Sequence, residues 1–277
     1  MSLDFTGIAD CDIHPYLRSP SDLDPWLSKR WIDHAREYGS LRNAAYTGGS
    51  PYHKSQPNAG RRDAWPPEGG QQGSSPTFLG QQLLDAHGIG FGVLNPLVPA
   101  PGVRNLDHSA ALCRAVNHWQ AEVWLAHEPR LLGSIVVPYE DPIASAAEIR
   151  HWAGNERFVQ VSLLSRTSFL PGNRRYWPIY EAAAETGLPI GIHAFGNSGW
   201  PVSSSGWPSF YMEEMIGHSQ SSQSGLVSLV VEGVFERWPD LRVVLVESGF
   251  TWAPSLMWRL DRHWKTLKSE VPHLKLS

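Results

Sequence analysis

A carboxylate and an imidazole, Asp12 and His14, stand two residues apart in the stretch IADCDIHPYL, residues 8 to 17. Side chains alternate along a strand, so Asp12 and His14 share one face and Cys11 and Ile13 the other. Burying both polar groups is costly unless they pair with each other or hold a metal ion. Spacing alone leaves both readings open. A second histidine, His193, falls at the end of the apolar run LPIGIHAF (188–195), and Glu247 ends the run LRVVLVES (241–248) in the same way. Independent placements at strand ends favour a shared ion over isolated contacts, with Asp12, His14 and His193 as its ligands. Neutral imidazole and carboxylate suit zinc or manganese, and three protein ligands leave a position open for water or substrate. Glu247 reads as a ligand, a base or a group that orients a histidine. His218, in EEMIGHSQSSQSG, lies between the last two apolar runs in a polar stretch that fits a solvent-exposed segment. Arg61 and Arg62 suit a bidentate clamp on an acidic substrate or a solvated surface pair.

These residues need a frame that brings strand ends together. Apolar runs at 7–13, 89–97, 131–138, 157–164, 188–195 and 241–248 are each followed by a segment of helical period, at 22–39, 105–127, 141–154, 174–187, 226–239 and 253–270. Buried parallel strands in repeated βα units produce this pattern. Asp141-Pro142 pairs a cap residue with a first-turn proline, and Gly154 and Gly187 fall at helix ends. The expected fold is a single (β/α)8 barrel domain over residues 1–277, whose strand C-termini face the active site. Eight units close such a barrel, whereas six are legible, and only VPHLKLS follows the last helical segment. The barrel is therefore expected to be open, or to lack its last two units in this chain. A Gly/Pro-rich insertion at about 43–76 reads as a lid or a surface loop. The loop 196–210 directly follows the fifth strand and is expected to wall a pocket.

Composition excludes several classes. The net charge is −4 with no basic block, which argues against nucleic acid. No apolar run approaches the ~20 residues of a membrane helix, and MSLDFTGIAD has no basic-then-apolar leader pattern. The two cysteines, Cys11 and Cys113, fit a reduced pair, so a soluble cytoplasmic protein is expected. There is no G-x-S-x-G elbow and no glycine-rich nucleotide loop. Among the tryptophans, Trp152, Trp238 and Trp258 sit on helical segments and are expected in the core, and Trp65, Trp200 and Trp207 sit in loops and are candidates to line a pocket.

The motifs resemble those of the amidohydrolase-related family, in the branch that includes aminocarboxymuconate semialdehyde decarboxylase. DCDIHP resembles its strand-one motif and IGIHAFG its strand-five metal histidine. LRVVLVESGFTWAPSLMWRLDRHW is similar to its strand-six segment and following helix, and the resemblance runs from about residue 8 to the end. It implies a distorted (β/α)8 barrel with one divalent ion, commonly zinc or manganese, acting on small, often aromatic-derived carboxylates. Metal ligation carries over to Asp12, His14 and His193. His218 falls where decarboxylase relatives carry a histidine near the substrate, and with Glu247 it makes the catalytic pair. The chain departs from the family at three points. Asp12 replaces the first histidine of the hydrolytic His-x-His, Glu247 stands where histidine is frequent, and no strand-eight aspartate is present. The expected activity is that of a metal-dependent decarboxylase or hydrolase, with a small-molecule substrate and homo-oligomeric assembly. The alternative is a catalytically inactive barrel serving as a binding or oligomerisation module.

Overall fold

The six apolar runs form six parallel strands, β1 (Ile8–Ile13), β2 (Ile89–Leu94), β3 (Leu131–Val136), β4 (Phe158–Leu164), β5 (Ile190–His193) and β6 (Val243–Val246). They pair in sequence order from β1 to β6, and the sheet curls into part of a barrel. The structure, a computed structural model, describes residues 7–41, 61–194, 200–203 and 205–275. Residues 43–60 of the long insertion, residues 195–199 and 204 of the later loop, and the side chain of Arg62 lie outside the described residues. The helices are α1 (Lys29–Tyr38), α2 (Pro76–Leu79), α3 (Leu106–Trp119), α4 (Pro142–Trp152), α5 (Trp177–Thr186), α6 (Tyr211–Val231), α7 (Val234–Arg237) and α8 (Ala253–Leu267).

Strand burial follows position in the sheet. β3 and β5 are buried at every residue, because neighbours flank them on both sides. β1 and β6 have one neighbour each and are partly exposed along their length. Leu94, Leu131, Ile135, Ile179 and Ile190 meet in one apolar cluster with Trp124, Tyr139 and Tyr180. Helix boundaries follow their cap chemistry. Asp141 accepts the Ala144 N–H at 3.1 Å ahead of Pro142, and Gly187 ends α5 in the left-handed region at φ 71°.

Three expectations change. The segment 22–39 is a short 3₁₀ stretch, Pro20–Trp26, with Pro25 inside it, before α1 begins. The helix expected over 226–239 begins fifteen residues earlier as α6 and ends at Val231, before Gly233 turns the chain at φ 81° into α7. Trp152 is buried and Trp238 packs against the core, its ring 5.5 Å from that of Trp177. Trp258, however, is 74% exposed, and α8 buries none of its residues. An amphipathic pattern states which face of a helix is apolar, whereas burial requires a neighbouring layer, and β6 is an edge strand among the described residues.

Candidate metal centre and active site

β1 carries an extra residue between Asp10 and Ile13, since Asp10 pairs with Gly92 and Ile13 with Leu94. Such a bulge re-aims side chains, and bulges concentrate at sites of chemistry. His14 leaves the end of β1, and His193 is the last residue of β5, 2% exposed. Glu247 follows β6 with φ 55°, the one positive φ outside glycine among the described residues. A non-glycine residue in this region carries strain, a recurrent mark of functional positions.

These four residues, Asp12, His14, His193 and Glu247, bring one ligand atom each within 4.8 Å of one another. His193 Nε2 lies 3.4 Å from Asp12 Oδ1 and 3.6 Å from Glu247 Oε2. His14 Nε2 lies 3.7 Å from Asp12 Oδ1 and 4.0 Å from Glu247 Oε1. A tetrahedral ion with bonds of ~2.1 Å imposes ligand-to-ligand edges of roughly 3.4 Å. Two imidazole nitrogens and two carboxylates at these separations fit a divalent ion. Burial works against the charge on Asp12, but His193 and His14 outweigh it and hold the carboxyl below its ordinary range. Burial likewise opposes protonation of His14, and Glu247 and Asp12 outweigh it and raise that imidazole. Tyr16 is pushed up by burial and by the Glu247 charge, so its hydroxyl stays protonated beside the cluster.

The polar stretch around His218 is not a solvent face. α6 turns Glu214, Gly217, His218, Ser221, Ser222, Gly225 and Ser228 inward at helical spacing. Hydrogen bonds attach this face to the strand ends. Ser165 and Ser221 hydroxyls meet at 2.8 Å and those of Ser222 and Ser248 at 2.7 Å, while Arg166 and Glu214 form an ion pair. Both partners of that pair are 4% exposed at the side chain. Gly172 lies so close to the Ser228 carbonyl that an added Cβ would overlap it. His218 is therefore buried against the site, where burial first and the Arg166 charge second depress its pKa to about 4, with Glu247 opposing them. Below its ordinary pKa of 6.5 the unfolded chain takes up a proton that folded His218 refuses until about pH 4. This residue's contribution to stability is thus complete above about pH 6.5, declines as pH falls towards 4, and does not decline further below that. Chemical denaturation of the parent and a His218→Gln variant at pH 7.5 and 4.5 should show a smaller acid loss in the variant. Equal losses would contradict the assignment.

A cleft of about 360 Å³ opens beside β1 and is lined by Asp10, Asp12, His14, Arg61, Gln72 and Phe78, among others. Arg61 pairs with Asp63 at its rim. Trp65, expected to line a pocket, is half-exposed and lines neither this cleft nor the one walled by the loop after β5. The loop after β5 does wall a cleft, of about 650 Å³, through Val202, Trp207 and Phe210, together with Met212 and Ile216 of α6. Trp200 is partly exposed and lines neither cleft. Cys11 is exposed, Cys113 is buried, and both are free. No helix among the described residues is long and apolar enough to cross a membrane.

Sequence reasoning missed three groups. Arg166 and Glu214 gave no signal, because a charge pair is invisible until the elements meet. Asn95, which follows β2 and donates from Nδ2 to Asp12 Oδ1 at 2.8 Å, reads as a turn residue in front of Pro96. It also meets the criterion that singled out His193 and Glu247, a polar residue at the end of an apolar strand.

A family model described as Amidohydrolase matches residues 9–275. A gamma-resorcylate decarboxylase of Rhodococcus jostii (strain RHA1) is 23% identical over 65% of this chain, and the chain spans 58% of that relative's length. Among solved structures, an amidohydrolase from Mycobacterium avium subsp. paratuberculosis K-10 superposes with a TM-score of 0.70 at 19% identity, covering 96% of this chain and 79% of its own. A 5-carboxyvanillate decarboxylase from Novosphingobium aromaticivorans DSM 12444, complexed with manganese and 4-hydroxy-3-methoxy-5-nitrobenzoic acid, superposes with a TM-score of 0.65 at 18% identity, covering 97% and 73%. At these identities the two likenesses establish the fold, of which the described sheet supplies six parallel strands.

Proposed function

The chain belongs to the amidohydrolase family, and on that premise we propose that it is a metal-dependent carboxy-lyase acting on a small aromatic carboxylate. The convergence of Asp12, His14, His193 and Glu247 at the strand ends carries this reading. Asp12, His14 and His193 would hold a zinc or manganese ion, and all 277 residues would serve one barrel domain. A manganese-bound decarboxylase among the structural neighbours and a decarboxylase among the sequence relatives support that choice over hydrolysis. When bound, the ion supplies Lewis acidity and a template for the carboxylate of the substrate and an adjacent oxygen.

The side chains of the protein supply the rest. Glu247, more exposed than the histidines, would deliver the proton that replaces the departing carboxyl group. In balance, the ring–carboxyl bond breaks, carbon dioxide leaves with no net oxidation, and a proton takes its place on the ring carbon. His218 stays neutral near pH 7 and would orient a substrate hydroxyl by hydrogen bonding. Arg61, at the mouth of the cleft that Asp12 and His14 line, would meet a second anionic group. Reduced cysteines suit a cytoplasmic setting.

The second reading is an inactive barrel acting as an association module, which the exposed edges of β1 and β6 and the exposed Met257, Trp258 and Leu267 of α8 favour. Under either reading homo-oligomeric assembly is proposed. One experiment separates the two readings. The protein is loaded with manganese or zinc, its metal content is measured, and loss of absorbance is followed across ortho-hydroxybenzoates, carboxyvanillates and aryl esters, with light scattering in parallel. Stoichiometric metal and release of carbon dioxide from a hydroxybenzoate are expected. Metal with ester cleavage alone would make it a hydrolase, and an assembled protein that takes up no ion would leave only the module.

A further inference from the structure

We propose that Asn95 is the positioning residue of the metal centre, one residue that sets the geometry of two of its ligands. The inference rests on the reading that Asp12 and His14 hold a divalent ion. Asn95 touches every residue of the stretch from Cys11 to His14. Its main-chain N–H donates to the Ile13 carbonyl at 2.7 Å, and its own carbonyl accepts from His14 Nδ1 at 2.9 Å. Its side-chain Nδ2 donates to the Cys11 carbonyl at 3.1 Å and to Asp12 Oδ1 at 2.8 Å.

Each contact has a consequence for a ligand. A carbonyl can only accept, so the proton of neutral His14 sits on Nδ1 and its Nε2 lone pair faces the cluster. Oδ1 is the Asp12 oxygen closer to both histidines, 3.4 Å from His193 Nε2 and 3.7 Å from His14 Nε2. The Asn95 N–H occupies one of its lone pairs and restrains rotation of the carboxylate, leaving the other lone pair for an ion. The same contacts span the β1 bulge, where the regular ladder would otherwise leave the strand loose.

The orientation of the Asn95 amide is itself determined. Asn95 Oδ1 accepts from Ser134 Oγ at 2.8 Å and from Gln160 Nε2 at 2.8 Å, and Gln160 Nε2 also donates to Ser134 Oγ at 2.9 Å. A flipped amide would aim N–H groups at those donors and an oxygen at the Asp12 carboxylate. Ser134 is the one polar side chain of β3, Gln160 lies on β4, and Gly191 on β5 leaves room for Gln160, whose Oε1 would be 3.0 Å from an added Cβ. A buried polar relay therefore crosses β4, β3 and β2 and terminates on Asp12. A turn-forming asparagine would need none of these partners.

The test uses Asn95→Ser, Asn95→Asp and, as a control one step along the relay, Ser134→Ala. Thermal unfolding of the metal-free proteins reports the fold, calorimetric titration with manganese reports affinity, and the visible spectrum of the cobalt-loaded proteins reports ligand geometry. Both Asn95 variants are expected to bind manganese ~10–100-fold more weakly, the range for partners that orient ligands. Their cobalt bands should shift while metal-free unfolding is retained, with Ser134→Ala intermediate. Asn95→Ser adds no charge beside Asp12 and is read if Asn95→Asp does not fold. Manganese affinity and cobalt bands indistinguishable from the parent's in folded Asn95→Ser would overturn the inference alone. So would an affinity lost only because the metal-free variants unfold, which makes the role structural. A parent that binds no ion would overturn both this inference and the functional reading beneath it.

Discussion

Replacing His193 with alanine is expected to abolish tight metal binding while the fold survives. His193 reaches both carboxylates of the cluster, Asp12 at 3.4 Å and Glu247 at 3.6 Å, and packs edge-on against His14 at 5.0 Å between ring centroids. Of the two histidines it lies closer to both carboxylates, since His14 stands 3.7 Å and 4.0 Å from them. Removing an orienting partner typically costs ~10–100-fold in affinity, and deleting a ligand itself should cost more than ~100-fold. The structural penalty is smaller, because His193 ends β5 instead of filling the middle of the strand. Its main-chain contacts, the Ser165 N–H to its carbonyl at 2.9 Å among them, do not depend on the side chain. Metal content after dialysis, manganese titration and circular dichroism of His193→Ala check this together. A variant as tightly metallated as the parent would remove His193 from the ligand set, and a variant with lost secondary structure would make it a core residue.

Glu214→Ala should be the most destabilising single change outside the cluster of Asp12, His14, His193 and Glu247. It removes the carboxylate that pairs with the Arg166 guanidinium, which is 4% exposed at the side chain. Removing one partner of a buried ion pair costs about 3–5 kcal/mol, because the other charge stays desolvated. A typical domain has only ~5–15 kcal/mol of stability. The loss should appear as a lower denaturation midpoint, with α6 loosened first because Glu214 is one of its anchors. The double change Arg166→Met with Glu214→Leu removes both charges and should recover much of the stability. It should also raise the pKa of His218, since the Arg166 charge is, after burial, the largest influence that depresses it. Titration of the His218 ring by NMR in the double variant reads this directly. A Glu214→Ala protein as stable as the parent would mean that the pair is solvated in solution.

The strand runs were legible because parallel strands buried on both faces leave long apolar segments between turns. Polar residues at the ends of such runs are conspicuous, since their burial is costly, and Asp12, His14, His193 and Glu247 stood out for that reason. Periodicity also placed α4 and α5 within a few residues of their observed positions, and α3 together with the π-helical stretch Gln120–Leu125 that continues it. α6 was not legible from residue 211. As far as Ser228 its buried face is glutamate, glycine, histidine and serine, which carry no apolar signal and pack through hydrogen bonds and close backbone approach.

Residue type and spacing in the sequence were enough to establish the order of the βα units, the strand that carries each candidate ligand and the chemistry those residue types suit. Four matters depended on the assembled chain. These are the bulge that re-aims Asp12, the left-handed backbone at Glu247, the burial of His218 beside Arg166, and the single asparagine that touches all of Cys11–His14. The physical reason is the same in each case. Hydrophobic periodicity records what each segment must bury, a local property of the chain. Charge pairing, hydrogen-bond partners and pKa are properties of two or more segments at a given distance, and that distance is set only when the sheet and α6 come together.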